Sequence, residues 1–286
     1  MTERARTVWR KAFTLVFAAL VVLPPPAPAA ELRQETLEAF DRYVRVSEAK
    51  IDAELSSHEP FLWLDRLPAG QREAALAQLR QGHVVTERLE TLDNGKSIPI
   101  PGGLIHHWIG TTFIPGVTLR QTLAFAQDYD HHFEHFRPDV MRSKILRRDG
   151  DDFVVSFRFH RKKVVTSILD TEHAIHYHIV DDAHAWSRSH TTRVQEVEDA
   201  GEPGEHLKPV GQDRGFLWRM NNYWRFEEKD GGTYVECQSI SLTRDIPAGL
   251  GWIISRFVNS IPRESLEFTL GTMRAALLQS QSTARK

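Results

Sequence analysis

The chain has 286 residues, of which 41% are hydrophobic and 26% charged, a composition typical of a folded globular protein and not of a disordered or collagen-like chain. Its 36 basic and 38 acidic side chains give a formal net charge of -2, so no overall positive field favours nucleic acid as a partner. A chain of this length buries a substantial core without needing disulfides.

The first thirty residues have the layout of a secretory signal peptide. A basic start precedes an uncharged apolar run from Phe13 to Leu23, and Ala27 and Ala29 then stand at the spacing of a cleavage site. A membrane-spanning helix needs about 17–25 apolar residues, and Pro24 ends this run earlier. We therefore predict that residues 1–29 are removed on export to the periplasm or the medium, with no stable membrane insertion afterwards. The mature chain then carries a net charge of about -5.

Cys237 is the single cysteine of the chain. No intramolecular disulfide can form, even in an oxidising compartment. The predicted signal region contains no cysteine that could carry a lipid, which favours a soluble exported protein. Because Cys237 lies in a predicted strand, we expect a buried structural thiol and not a nucleophile.

A helical extension is predicted for residues 30–102. Apolar residues recur at helical spacing from Glu31 to about Ala53, and QREAALAQLR from Gln71 to Arg80 fits a second helix. Asp93-Asn94-Gly95 then signals a turn.

After Gly103 the pattern changes to one strand, two short helices, several strands and a long helix. The predicted elements are a strand from Leu104 to Phe113, a helix from Leu119 to Tyr129, a short helical piece to about Val140, strands over Ser143–Arg148, Phe153–His160, Val164–Ile179, Ala185–Val197, Phe216–Glu227 and Thr233–Arg244, and a helix over Gly249–Ser280. A bend is predicted near Thr171.

Turn chemistry makes consecutive strands antiparallel. Lys229-Asp-Gly-Gly232 suits a tight hairpin, because glycine accepts the positive φ that such turns require. In the last helix Leu266, Leu270, Met273 and Leu277 form an apolar stripe, and Pro262 is tolerated there if it begins a new first turn.

This order of elements resembles the START-like (SRPBCC) superfamily, whose fold is called helix-grip. The phrases that carry the likeness are DYDHHFEHFRPDV with DGDDFVVSFRF, NNYWRFEEKDGGTYVECQSISLTRDIP, and GLGWIISRFVNSIPRESLEFTL. The resemblance implies an α+β fold over residues 103–280, with a curved antiparallel sheet of about seven strands around the C-terminal helix, followed by a tail at 281–286. It also implies a ligand cavity between the sheet and the C-terminal helix, since the superfamily includes lipid carriers, plant hormone-binding proteins and polyketide cyclases or aromatases. The extension has no counterpart in the minimal fold; it could cover the sheet, lid the cavity or contact a second copy.

Candidate ligand-binding residues come from the strands. The strand that begins at Phe216 carries two alternating sets of side chains, and one of them lines the interior. The first set is Arg219, Asn221, Tyr223 and Arg225, and the second is Trp218, Met220, Asn222, Trp224 and Phe226. The predicted polar ligand contacts are Arg158, Arg188, His190, Arg219, Asn221, Tyr223, Arg225 and Glu236. If Arg225 and Glu236 face inward, each needs the other, because an unpaired buried charge costs several kcal/mol. Otherwise they form an ordinary cross-strand pair outside.

A metal site is the sharpest alternative. His131 and His135 would share a helix face at the spacing that can hold zinc, with Asp128 and Asp130 nearby. The H-E-x-x-H arrangement is absent, as are a G-x-S-x-G elbow and a Gly-rich phosphate loop. We therefore predict no metal, no cofactor and no catalytic residue.

The leading hypothesis is an exported binding or carrier protein for a hydrophobic or amphipathic small molecule, lipid-like or aromatic. A cyclase-like enzyme is the second hypothesis, with Tyr223 and Arg225 polarising a carbonyl and stabilising an enolate. The third is an interaction module that uses the helical extension as its contact surface.

Overall fold

The computed structural model describes residues 32–57, 59–162, 166–210, 212–245 and 251–284, and the side chains at 162, 251–259 and 284 are not included. The predicted signal peptide lies outside these residues. Five α-helices are present in this part of the chain: α1 (Gln34–Ser56), α2 (Ala69–Arg80), α3 (Leu119–Gln127), α4 (His132–His135) and α5 (Gly251–Ala284). Two 3₁₀ helices span Trp63–Arg66 and Tyr129–His131. None of the described helices combines the length and apolar character needed to cross a bilayer.

Eleven strands are described in the same ranges. They are β1 (Val85–Arg88), β2 (Leu92–Asp93), β3 (Lys96–Ser97), β4 (Gly103–Pro115), β5 (Val140–Asp149), β6 (Asp152–Lys162), β7 (Thr166–Ile179), β8 (His184–Glu198), β9 (His206–Leu207), β10 (Arg219–Lys229) and β11 (Gly232–Arg244). Nine of them form one sheet in the order β1-β4-β11-β10-β8-β7-β6-β5, with β9 beside β8.

Every pairing in the sheet is antiparallel, as the turn residues predict. At the β10–β11 hairpin Asp230 and Gly231 have φ of 57° and 74°, the left-handed pair that a two-residue turn of this type requires. The predicted bend near Thr171 corresponds to a bulge between Glu172 and His173. About seven strands were predicted for this sheet, which has nine. The two additional strands are β1, which the extension contributes, and β9.

The inner face of the sheet packs on α5. Leu266, Leu270, Met273 and Leu277 join one hydrophobic cluster with residues of seven strands, and Cys237 belongs to that cluster at 2% exposure. α5 approaches β4 so closely that a Cβ on Gly110 would lie 2.9 Å from Leu270 Cδ1. Side chains therefore fill the space between the sheet and the Leu266–Leu277 part of α5.

Two details of the helices differ from the sequence prediction. Pro262 lies inside one continuous helix and does not begin a new one. His131 ends the second 3₁₀ helix, whereas His135 ends the separate one-turn helix α4, so the two do not share the face of one α-helix.

The outer face of the sheet is covered by the extension. Phe40, Tyr43, Val44 and Ile51 of α1 pack on residues of β10 and β11, including Ile240 and Leu242. The first 3₁₀ helix and α2 pack on Phe113 and Tyr234. Of the roles considered for the extension, covering the sheet is the one the structure shows.

Candidate functional site

The eight predicted ligand contacts lie on the outer face of the sheet, away from α5. Side chains alternate along a strand, and residues directly opposite in neighbouring strands share a face. Arg225 is opposite Glu236 and Trp186, and Tyr223 is opposite Gln238 and Arg188. The same register places Asn221 with His190 and Ile240, Arg219 with Leu242, and Arg158 with Asp170.

Arg225 and Glu236 are buried beneath the extension, with 5% and 2% exposure. Arg225 Nη2 lies 2.6 Å from Glu54 Oε2 of α1, and Arg225 Nη1 donates to the Phe61 carbonyl oxygen. Glu236 accepts from the Trp63 backbone N–H at 2.9 Å, and its Oε1 lies 3.9 Å from Arg225 Nη1. Burial raises the pKa of Glu236, against the lowering effect of Arg225. The pair fastens the extension to the sheet.

The other predicted contacts also bind protein groups or face solvent. Tyr223 donates its hydroxyl proton to Glu48 of α1 at 3.0 Å, and Arg188 pairs with Asp52 of the same helix. Arg158 forms a bidentate salt bridge with Asp170 at 2.7 and 2.8 Å and also contacts Glu205. His190 is exposed. The structure brings most of these residues together, but under α1 and not against α5; their role in binding a ligand stays a prediction.

The inner face carries a different set of polar residues. Trp108, Ser239, Asn222 and Ser189 lie opposite one another across four strands, and the next row holds His106, Ser241, Thr191 and His173. We call seven of these the polar band: His106, His173, Ser189, Thr191, Asn222, Ser239 and Ser241. Thus β10 contributes its other alternating set, Asn222 and Trp224, to the interior.

Several side chains of the polar band have donors or acceptors that no other described residue meets. Asn222, Ser189, Ser239 and Ser241 have no hydrogen-bond partner for their side chains among the described residues. Thr191 accepts from the Met220 backbone N–H at 3.0 Å. Ser189, Thr191 and Ser241 are nevertheless buried, at 6–7% exposure. Asn222 and Ser239 are half-buried. Buried polar groups without a protein partner are normally met by water or a ligand.

Both histidines of the band are held neutral near pH 7. Burial, together with a smaller contribution from repulsion by His190, lowers the pKa of His173 to about 4. Burial lowers the pKa of His106 to about 4 in the same way, with a contribution from Arg88. Each ring contacts a threonine hydroxyl at 3.0 Å, that of Thr171 for His173 and that of Thr243 for His106.

Aromatic side chains border the polar band. Trp108 and Trp224 are half-buried beside it, and Phe157 contacts the His173 ring edge to face with centroids 5.4 Å apart. Phe159 stacks on Phe157 at 5.3 Å. Apolar walls around a few polar groups are the usual lining of a small-molecule site.

The cluster considered as an alternative metal site has other contacts. His131 Nδ1 lies 2.7 Å from Asp128 Oδ1, whose hydrogen bond and charge raise the pKa of His131. Asp130 accepts from the Ile145 backbone N–H. In the described ranges no three histidine, cysteine or acidic side chains gather in a geometry that could hold a metal ion.

The strand order and the C-terminal helix define the architecture. The chain has an α+β, helix-grip fold. No match is found among models of known protein families or among curated proteins.

Solved structures similar to the chain include a STAR-related lipid transfer protein from Xanthomonas axonopodis, with 17% identity over 67% of this chain and 98% of that one and a TM-score of 0.42. Human STARD10 has 9% identity over 77% of this chain and 83% of its own, with a TM-score of 0.42. The Zhui aromatase/cyclase from Streptomyces sp. R1128 has 12% identity over 62% of this chain and 95% of its own, with a TM-score of 0.38.

Proposed function

We propose that the chain, exported after loss of residues 1–29, binds and carries a hydrophobic or amphipathic small molecule at the polar band. The observation that carries this proposal is a group of polar side chains without hydrogen-bond partners among the described residues, set between Trp108, Trp224 and Phe157. Ser189 and Ser241 of this group are buried, and Ser239 and Asn222 are half-buried.

The energetics favour a guest at this place. A buried hydroxyl without a partner costs about 1–3 kcal/mol. Ser189 and Ser241 are buried without a hydrogen-bond partner among the described residues, and Asn222 and Ser239 are half-buried without one. A ligand that donates to and accepts from them recovers this cost, while its apolar body gains from contact with the aromatic walls.

The two other hypotheses are less well supported. Tyr223 and Arg225, the pair suggested for a cyclase-like mechanism, lie on the outer face in contact with Glu48, Glu54 and the Phe61 carbonyl. A ligand on the inner face would be separated from them by the sheet. The extension, suggested as a contact surface, packs its apolar side chains against the sheet of the same chain.

The test uses consecutive residues of β8 that face opposite ways. Titration of the mature protein with N-phenyl-1-naphthylamine, a neutral apolar dye, should give saturable fluorescence enhancement. Ser189→Phe adds a ring to the polar band and should weaken dye binding at least about tenfold, equivalent to about 1.4 kcal/mol. The matched control His190→Phe adds the same ring on the exposed outer side and should leave the affinity unchanged.

Circular dichroism would establish that both variants keep the parent fold. Absence of saturable dye binding to the parent would refute the proposal, and so would equal losses in the two variants. Native mass spectrometry of the purified parent should in addition show a co-purified small molecule.

A further inference from the structure

Strand β1 brings a cation to one end of the polar band. Arg88 lies opposite Trp108, so it faces the same side of the sheet as Trp108, Ser239 and Asn222. β1 is the edge strand on this side of the sheet, and Arg88 is exposed. We call this end of the row the rim. A ligand that lies along the band would meet the guanidinium group of Arg88 at the rim.

Two contacts show how β1 runs along α5. A Cβ on Gly271 would lie 4.0 Å from Val84 Cγ2, and Thr86 donates its hydroxyl proton to Glu267 of α5 at 3.1 Å. The contacts therefore move toward the N-terminal end of α5 as β1 proceeds toward its last residue.

Arg88 and Arg263 occupy the next positions along these two elements. Arg88 is two residues beyond Thr86 and on the same face of β1. Arg263 is four residues before Glu267 on the same face of α5, with its Nε 3.7 Å from Glu267 Oε1. Two strand residues and four helix residues each cover about 6–7 Å. The two arginines are therefore brought to the same rim.

The described acids near the rim do not neutralise both cations. Glu267 is shared between Arg263 and the hydroxyl proton it accepts from β1. Glu87 faces the outer side of the sheet, and Glu90 accepts from a serine hydroxyl at 2.5 Å. Arg88 has no ion-pair partner among the described residues.

The sequence that follows β11 adds no acid. Residues 246–259 contain one charged side chain, Arg256, which is a further cation. The positive charge at the rim also acts on the polar band: burial is the main cause of the low pKa of His106, and Arg88 lowers it in addition.

We propose that the molecule bound at the polar band carries an anionic head, a carboxylate or a phosphate, which Arg88 and Arg263 bind at the rim. Its apolar body then lies along the band and the aromatic walls. This inference rests on the proposed function. Guanidinium groups present paired N–H donors that match both kinds of head. Because both arginines are exposed, the head keeps part of its hydration and avoids the cost of full burial.

The experiment compares three probes that share a dodecyl chain and differ in the head. The parent protein, loaded with N-phenyl-1-naphthylamine at pH 7.5, is titrated with dodecanoate, dodecyl phosphate and 1-dodecanol below their aggregation limits. At least one anion should displace the dye with an affinity about fivefold or more above that of dodecanol, equivalent to about 1 kcal/mol. The anion that binds more tightly identifies the head as carboxylate or phosphate.

Three variants locate the preference. Arg88→Gln and Arg263→Gln should each weaken binding of the preferred anion about fivefold and leave dodecanol binding unchanged, because a neutral head gains little from a guanidinium group. Arg147→Gln is the matched control. Arg147 is also an exposed strand arginine without an ion-pair partner among the described residues, but it lies in β5 at the opposite edge of the sheet. This variant should keep the parent's affinities for all three probes.

The outcomes separate the inference from the proposed function. If dodecanol binds as tightly as both anions, or more tightly, the anionic head is overturned while the binding function stands. The assignment to Arg88 fails if Arg88→Gln weakens dodecanol and the anion equally, or weakens the anion no more than Arg147→Gln does. If the parent binds neither the dye nor any probe, the proposed function fails and takes the inference with it.

Discussion

Arg225 and Glu236 show how far residue patterns reach. Their cross-strand pairing and the alternation of β10 could be predicted from the sequence, because a two-residue period and a tight hairpin fix both. Which face turns inward could not, since a shift of one residue exchanges the two sets. The contact with α1 decides it, because Glu54 of α1 pairs with Arg225 and so compensates its burial on the outer face.

The burial of this pair predicts a large difference between two arginines on neighbouring strands. Arg225→Met leaves Glu236 buried without its cation and should lower the free energy of unfolding by about 3 kcal/mol or more. Arg188→Met is the control, because its partner Asp52 is 59% exposed, and exposed ion pairs contribute about 1 kcal/mol or less. Urea unfolding monitored by tryptophan fluorescence measures both. Similar losses in the two variants would contradict the assignment.

The neutral His173 predicts an acid-dependent loss of stability. Its pKa is about 4 when folded, against 6.5 for the unfolded reference, so the unfolded chain binds the proton more strongly between these values. Stability contributed by the neutral ring is complete above pH 6.5 and falls as the pH drops below it, by about 2 kcal/mol at pH 5 for one such group. Urea unfolding at pH 7.5 and pH 5 should show that His173→Gln reduces the difference between the two pH values by about that amount.

Ser189→Ala is the control for the pH experiment, because it alters the same face without removing an imidazole. It should keep the pH dependence of the parent. An unchanged dependence in His173→Gln would show that this ring is not the group responsible.

At the scale of elements, the sequence predicted the long strands and helices to within a few residues. The periodicity from Glu31 onward corresponds to α1, and the stripe from Leu266 corresponds to the part of α5 that packs on the sheet. β1 and β9 were missed because strands of four and two residues are too short to show a period. The condition placed on Pro262, that it begin a new first turn, is not met: it lies within the continuous helix α5, although a proline within a helix is normally destabilising.

The packing of α1 predicts that one of its aromatic residues is critical for stability. Phe40 is 2% exposed against the outer face of the sheet, and Phe40→Ala should lower the free energy of unfolding by about 3 kcal/mol, the usual cost of emptying a buried aromatic site. Phe216, at 41% exposure, is the control: Phe216→Ala should cost less than about 1 kcal/mol. Urea unfolding of the two variants checks this. A loss for Phe40→Ala no larger than the control's would mean that α1 is only loosely attached.

At the scale of the whole molecule, the sheet is covered on both faces. α5 occupies one side, and α1, α2 and the first 3₁₀ helix occupy the other. The resemblance to the helix-grip fold predicted the first of these layers. The second could not be predicted, because whether a helix lies over a sheet, over a cavity or against another molecule depends on tertiary contacts that periodicity does not encode.

This two-sided cover predicts that the helix-grip part is not autonomous. A chain of residues 103–286 would expose Trp218, Tyr223, Ile240 and Leu242 and leave Arg225 and Glu236 without their partners from the extension. It should lack a cooperative thermal transition by circular dichroism, whereas residues 30–286 should unfold cooperatively. A cooperative transition of the shorter chain near the melting temperature of the longer one would contradict this expectation.

Cys237 gives the molecule a built-in reporter. The single thiol of the chain sits among the side chains that α5 presses onto the sheet, and burial raises its pKa well above the ordinary value. Alkylation by a maleimide therefore requires the helix to separate from the sheet, so the labelling rate measures how often that interior opens. A molecule bound at the neighbouring polar band would slow the labelling in proportion to its occupancy. The alkylation rate of Cys237 would then report ligand binding.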